Sequence, residues 1–167
     1  MPLDNTDVTY ILNLPTLTPS AAQSGDVVPV YRSGQSTPLQ QATLSIQPIR
    51  AITYVMDGGG SVLATGVRGS LYVPFACTIT AATLLAPHQI GSIVVDVWKT
   101  PLGSYPASAG NSICASDLPT LSAAREMTDT TLTGWTTAIS AGDTLTFNIN
   151  SVTSLDEATL ILTVQTN

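Results

Sequence analysis

The reactive groups of this 167-residue chain are one imidazole, two thiols, eleven carboxylates and five fixed cations. A Ser-His-acid relay would have to use His88 as its general base. That residue stands in Ala86-Pro87-His88-Gln89, which reads as a turn, and no serine lies in a nucleophile-elbow pattern. A solvent-exposed loop histidine is the expectation. Cys77 and Cys114 are too far apart in sequence for a metal-ligand pair, and one histidine cannot complete a zinc site. Two buried thiols follow as the default. The segment Gly58-Gly59-Gly60-Ser61-Val62-Leu63-Ala64-Thr65-Gly66 has the glycines of a phosphate loop but lacks the Gly-Lys-Ser/Thr ending and runs into a strand instead of a helix. It reads as a turn between strands.

Paired carboxylates could run glycoside hydrolysis, yet Asp156-Glu157 sits in a predicted turn where solvated acids are ordinary. Asp96 lies in an otherwise apolar run, so burial of its face would require a partner such as Arg68. Asp57 with loop carbonyls could approach a calcium ion, without any EF-hand spacing to support it. Tyr54, Tyr72, Trp98, Tyr105 and Trp135 could stack on sugar rings, with Tyr105 and Trp135 the candidates for ligand contact, although core or subunit packing explains such residues as well. No catalytic, cofactor-binding or metal-binding residue is assigned, and the reading is non-enzymatic.

These residues must be carried by strands. Charged residues make up 10% of the chain, well below the roughly 25% of average soluble proteins, and the net charge is −6. Ser and Thr supply about a quarter of the residues, and Pro and Gly recur throughout, a composition for strands and turns. Arg32, Arg50, Arg68, Lys99 and Arg125 form no cluster able to neutralise phosphates, so nucleic-acid binding and adhesion to acidic membranes are disfavoured. No apolar stretch is long enough to span a bilayer, and the opening MPLDNTDVTY has neither the basic start nor the apolar block of a secretion signal. Synthesis in a cytoplasm is the expectation.

The composition changes near Gln47. Residues 1–47 are rich in prolines, hydroxyls and amides with isolated apolar groups, as expected of an extended N-terminal arm that needs a partner surface. Within it, Asp26 to Tyr31 and Thr37 to Leu44 flank Arg32-Ser33-Gly34-Gln35-Ser36, the pattern of a small hairpin whose Pro29 and Pro38 confine it to sheet edges. Tyr10, Ile11, Leu12, Leu14, Val27, Val28, Val30, Tyr31 and Leu44 are the apolar anchors the arm would offer.

Residues 48–167 read as a compact β domain. Strands are predicted at Ile52 to Met56, Val67 to Phe75, Thr78 to Ala86, Ser92 to Trp98, Thr131 to Ile139, Thr144 to Ile149 and Ala158 to Gln165, from period-two alternation and turn residues between them. A long connection from Lys99 to about Thr128 is expected to include a helical turn or two at Leu121 to Met127. The whole is all-β: an antiparallel β-sandwich or jelly roll with an extended N-terminal arm.

Three segments carry a resemblance. Met56-Asp57-Gly58-Gly59-Gly60-Ser61-Val62-Leu63-Ala64-Thr65-Gly66-Val67-Arg68-Gly69, Val73-Pro74-Phe75-Ala76-Cys77-Thr78-Ile79 and Gly91-Ser92-Ile93-Val94-Val95-Asp96-Val97-Trp98-Lys99 together resemble a recurrent domain of tailed-bacteriophage structural proteins. Pro119-Thr120-Leu121-Ser122, Leu132-Thr133-Gly134-Trp135 and Ala141-Gly142-Asp143-Thr144-Leu145 continue it. In the arm, Asp26 to Arg32 and Gln40 to Leu44 resemble attachment segments of phage fibre and head-decoration proteins. The resemblance implies a virion component without cofactor, commonly homotrimeric, that attaches through its N-terminal region to the major capsid protein or another virion protein. With one projecting domain and no shaft, a capsid decoration, cement or head-fibre role is favoured. The competing expectation is a short tail-fibre or spike module that binds a host glycan or surface protein through the loop from Pro101 to Asp117.

Overall fold

The computed structural model describes residues 27–30, 40–43 and 47–166. The chain divides into two units, Met1–Gln47 and Pro48–Asn167. In the first, β1 (Val27–Val30) and β2 (Gln40–Thr43) form a two-stranded antiparallel sheet with Val27 opposite Thr43 and Pro29 opposite Gln41. This is the hairpin the flanking apolar runs predicted, and each strand is an edge where a proline costs little.

The second unit is an antiparallel sandwich. Its strands are β3 (Ile49–Asp57), β4 (Gly66–Val73), β5 (Cys77–Leu85), β6 (Gly91–Pro101), β7 (Thr120–Ala124), β8 (Glu126–Asp129), β9 (Ala138–Ile139), β10 (Asp143–Thr153) and β11 (Glu157–Thr166). One sheet has the order β3-β11-β5-β8, with β9 also on β5; the other has the order β4-β10-β6-β7. The pairs β3–β11, β4–β10, β5–β8 and β6–β7 are those of one long antiparallel ribbon wrapped across two sheets. That wrapping is a jelly roll.

Alternation decides which side of each strand enters the core. Ala158, Leu160, Leu162 and Val164 of β11 are fully buried, as are Ile93, Val95 and Val97 of β6 and Leu145 and Phe147 of β10. Apart from the small Ala158, each of these side chains stabilises the fold by roughly 1.5–3 kcal/mol on leaving water. Tyr54 from one sheet stacks on Phe147 from the other, with ring centroids 4.3 Å apart and planes 8° from parallel. The tyrosine ring also presses on β4 at Gly69, where a Cβ would collide with its hydroxyl. Among the described residues, every buried member of this core cluster lies between Ile52 and Val164.

Several expectations are corrected. Leu121 to Met127 is no helix: it forms β7 and β8, because Leu121 must face the core opposite Ile93 and Met127 pairs with Leu84. Only Ala138 and Ile139 of the strand predicted from Thr131 to Ile139 are extended in a sheet. Leu132 and Gly134 have φ of 49° and 75°, and the Trp135 N–H reaches the Leu132 carbonyl, which makes this stretch a turn. Ser61 to Ala64, by contrast, lies in the expected turn between strands, with Leu63 buried and its N–H donating to the Leu155 carbonyl. The connection after Lys99 starts later than expected, since β6 continues to Pro101 before 3-10 turns at Leu102–Ser104 and Ala109–Asn111.

Candidate functional site

The ribbon's wrapping sends loops to two ends. At one end the β3–β4, β5–β6, β7–β8 and β10–β11 connections meet. Gly58 N–H donates to the Asp156 carbonyl at 2.8 Å, and Ala86 N–H donates to the Arg125 carbonyl at 2.7 Å. The Arg125 guanidinium donates to the Pro87 carbonyl at 3.0 Å. Asp57 Oδ1 accepts the Gly59 N–H at 2.7 Å, an Asx-type turn in which Gly59 and Gly60 take φ of 63° and 83°. This explains the glycine run: left-handed backbone at two successive positions is inexpensive only without a Cβ. Val62 and Ile90 are exposed on this tip.

His88 belongs to the same tip. Its Nδ1 lies 3.3 Å from both carboxylate oxygens of Asp156, with its side chain mostly in solvent. A histidine–carboxylate pair supplies two members of a hydrolytic relay, but among the described residues no serine or cysteine bonds the ring, so the expected exposed loop histidine is what the structure contains. Both thiols are free and buried. Burial raises the pKa of Cys77. Burial also pushes Cys114 up to about 12, with the Asp96 carboxylate adding to the rise against a lowering backbone hydrogen bond at Val97. Neither thiol is therefore a thiolate nucleophile near neutral pH. Among the described residues, no three His, Cys, Asp or Glu side chains are grouped to hold a metal ion, and no helix is long and apolar enough to cross a membrane.

At the opposite end lie the start of β3, the β4–β5 turn and the long β6–β7 connection. The connection is fastened to β6 by an internal polar network. Asp96 is 7% exposed. Its Oδ2 accepts the Trp98 indole N–H at 2.7 Å and its Oδ1 accepts the Ser112 hydroxyl at 2.6 Å. Ser112 also bridges Trp98 through the backbone, and the Ile113 N–H donates to the Val97 carbonyl at 2.9 Å. The expected Arg68 partner is corrected: neutral donors satisfy Asp96, while Arg68 has a buried Nε with no hydrogen-bond partner. Asp96 and Trp98 share a face two residues apart on a strand, so the indole N–H reaches the carboxylate without any backbone distortion. Period-two spacing in Asp96-Val97-Trp98 was the one sequence signal for this pair; Ser112 left none. Lys99 extends the fastening by donating to the Ala138 carbonyl at 2.6 Å, with Asp143 Oδ2 at 3.9 Å.

The two ligand candidates behave differently. Tyr105 is 53% exposed on the β6–β7 connection, next to the exposed Leu102. Trp135 is 9% exposed and gives its indole N–H to the Asp117 carbonyl at 2.7 Å. Trp135 is thus part of the core cluster. Of the arm residues, Val27, Val28 and Val30 lie on β1 opposite Thr43, Ala42 and Gln40. Tyr10, Ile11, Leu12, Leu14, Tyr31 and Leu44 lie outside the described residues.

No protein-family model matches the chain, and no curated protein matches it. A solved structure described as that of infectious bursal disease virus Gx strain is similar over 84% of this chain and 43% of that one, with 15% sequence identity and a TM-score of 0.24. The chain thus spans less than half the length of that neighbour, and a likeness so slight assigns no function.

Proposed function

We propose that this protein is a non-enzymatic structural component of a virus particle, a capsid decoration, cement or head-fibre protein that docks through residues 1–47 and displays its jelly roll. The observation that carries this reading is the polarity of the second unit. Residues 1–47 join it at Pro48, and β3 then runs its nine residues away from that point to the tip where Asp57, His88, Arg125 and Asp156 lie. Nine extended residues cover roughly 30 Å. In this reading the shell lies on the Pro48 side and the tip is the displayed end.

Three further points support it. Jelly rolls recur in viral capsid and lectin domains, although a fold by itself fixes no function. The segments from Met56 to Lys99 resemble tailed-phage structural domains. The two thiols are buried, and Asp57 is held in a loop hydrogen bond. The arm would gain its order from the shell: fixing backbone costs about 1–2 kcal/mol per residue, to be offset by apolar anchors such as Tyr10, Ile11, Leu12 and Leu14.

The test is a particle-binding assay with the full chain and a variant lacking residues 1–47, which retains every buried residue of the described core cluster. The full chain is expected to cosediment with capsids and the shortened one to remain folded but unbound. Undiminished capsid binding by the shortened chain refutes the arm as the attachment element. A second reading, a short tail-fibre module for a host glycan or surface protein, is favoured by the exposed Tyr105 and Leu102 on the β6–β7 connection. Binding of the shortened chain to host cells, abolished by Tyr105→Ala, would select it.

A further inference from the structure

Among the described residues, strand β3 ends its sheet with one unpaired edge. Among the described residues its single neighbour is β11, paired from Ile49–Gln165 to Asp57–Glu157 without a register shift. The Thr166 N–H donates to the Pro48 carbonyl at 3.1 Å, which fixes the phase of the ladder. Residues 50, 52, 54 and 56 turn their N–H and C=O groups toward β11, so those of Ile49, Ala51, Thr53 and Val55 point to the open side. The side chains of these four are uncharged and exposed, Ile49 at 75% and Val55 at 52%.

The other edges carry the devices that discourage strand addition. At the far end of the same sheet β8 is four residues long with an acid at each end. In the second sheet β4 meets a register shift and contains Arg68 and Gly69, and β7 is five residues long and also irregular. Of these four edge strands β3 alone is both long and regular, and its charges, Arg50 and Asp57, flank the uncharged stretch from Ala51 to Met56.

We propose that β3 pairs with β3 of a second copy about a two-fold axis, joining two sheets into one. Antiparallel self-pairing through the open groups requires odd-numbered residues to face odd-numbered residues. Placing Ile52 on the axis sets Ile49 opposite Val55 and Ala51 opposite Thr53 of the second copy. This register buries the two large exposed apolar groups against each other twice and forms about eight interchain hydrogen bonds. It leaves Asp57 beyond the paired stretch. The alternative with Thr53 on the axis sets Ile49 against Asp57, an apolar group against a carboxylate. In a chain of net charge −6, the neutral stretch from Ala51 to Val55 lets like-charged copies approach without opposed acids. The two-fold pair does not depend on the virion reading.

Two double variants of the full chain test the pair. Both remove the same apolar area, but Ile49→Lys/Val55→Lys opposes like charges across the axis and Ile49→Lys/Val55→Glu opposes unlike ones. Measured by sedimentation, the unmodified chain is expected at an even multiple of 17.3 kDa, the first variant at half that mass and the second at the full value. A monomeric or trimeric unmodified chain, or two variants of equal mass, overturns the proposal. Amide exchange supplies an independent readout. Amides of 49, 51, 53 and 55 should be protected in the unmodified chain and lose protection in the like-charge variant, while those of 50, 52, 54 and 56 stay protected in both. Fast exchange of the first set in the unmodified chain overturns the pair even where a variant fails to fold.

Discussion

Removing the Asp96 carboxylate should loosen the connection between β6 and β7 far more than a surface substitution would. Asp96→Ala leaves the Trp98 indole N–H without its 2.7 Å acceptor inside a nearly closed site and removes the 2.6 Å bond from Ser112. A buried donor left unsatisfied costs about 1–3 kcal/mol, and a hydrogen bond to a charged group contributes about 1.5–3 kcal/mol. Ser112 is only half-buried, so its hydroxyl recovers water. Relief of the carboxylate's own desolvation offsets part of the loss. The expected net destabilisation is about 2–4 kcal/mol, with Asp96→Asn at about half because the amide retains one acceptor. Urea unfolding followed by tryptophan fluorescence measures it, and a double-mutant cycle with Trp98→Phe should show about 1.5 kcal/mol or more of coupling. Both Asp96 variants falling within about 0.5 kcal/mol of the unmodified protein, the ordinary range for surface positions, would refute the assignment of this network as the fastening of the connection.

Other consequences are accessible to simple assays. Gly69→Ala drives a methyl into the Tyr54 hydroxyl; because Tyr54 is held by its stack on Phe147, a loss of about 1–3 kcal/mol is expected, partly restored by adding Tyr54→Phe. Phe147→Ala should cost about 3–5 kcal/mol in a denaturant titration, with a smaller loss when Tyr54 is already alanine, since the stack is then gone. Both thiols should resist an alkylating reagent in the native state and react on unfolding, as mass spectrometry would register. Cys114 keeps its proton to about 12 when folded against an ordinary 9.0, so the unfolded chain binds fewer protons over that interval. Its contribution is complete below about pH 9 and is lost as pH rises toward 12; the difference in stability between the unmodified protein and Cys114→Ala should shrink or reverse across that window.

Much of the architecture was legible in the residues. Alternation in Leu145-Phe147-Ile149 and Leu160-Leu162-Val164 marks strands because period two puts one face in the core wherever one side of a sheet is buried. The glycines at 58–60 and the Asp57 ahead of them mark a turn for local reasons, and the structure shows both. The hairpin at Val27–Val30 and Gln40–Thr43 was readable for the same local reason. Where local pattern and tertiary demand conflict, the pattern misled. Leu121-Ser122-Ala123-Ala124-Arg125-Glu126-Met127 contains good helix formers, but β6 and β5 each need a neighbour, and ladder hydrogen bonds with burial of Leu121 outweigh a few tenths of a kcal/mol of intrinsic preference per residue.

By itself, then, the sequence determined an all-β chain with a compositionally separate first 47 residues, and it gave the strands their inward faces, because those properties depend on residues two or three positions apart. Only the tertiary structure decided the strand order of the jelly roll, the acceptance of Trp98 and Ser112 by Asp96 in place of Arg68, the burial of Trp135 and the open side of β3. Each of these is set by which distant segments share a sheet or a layer, and solvent exclusion and hydrogen-bond satisfaction act on that arrangement as a whole, leaving almost no trace in the spacing of neighbouring residues.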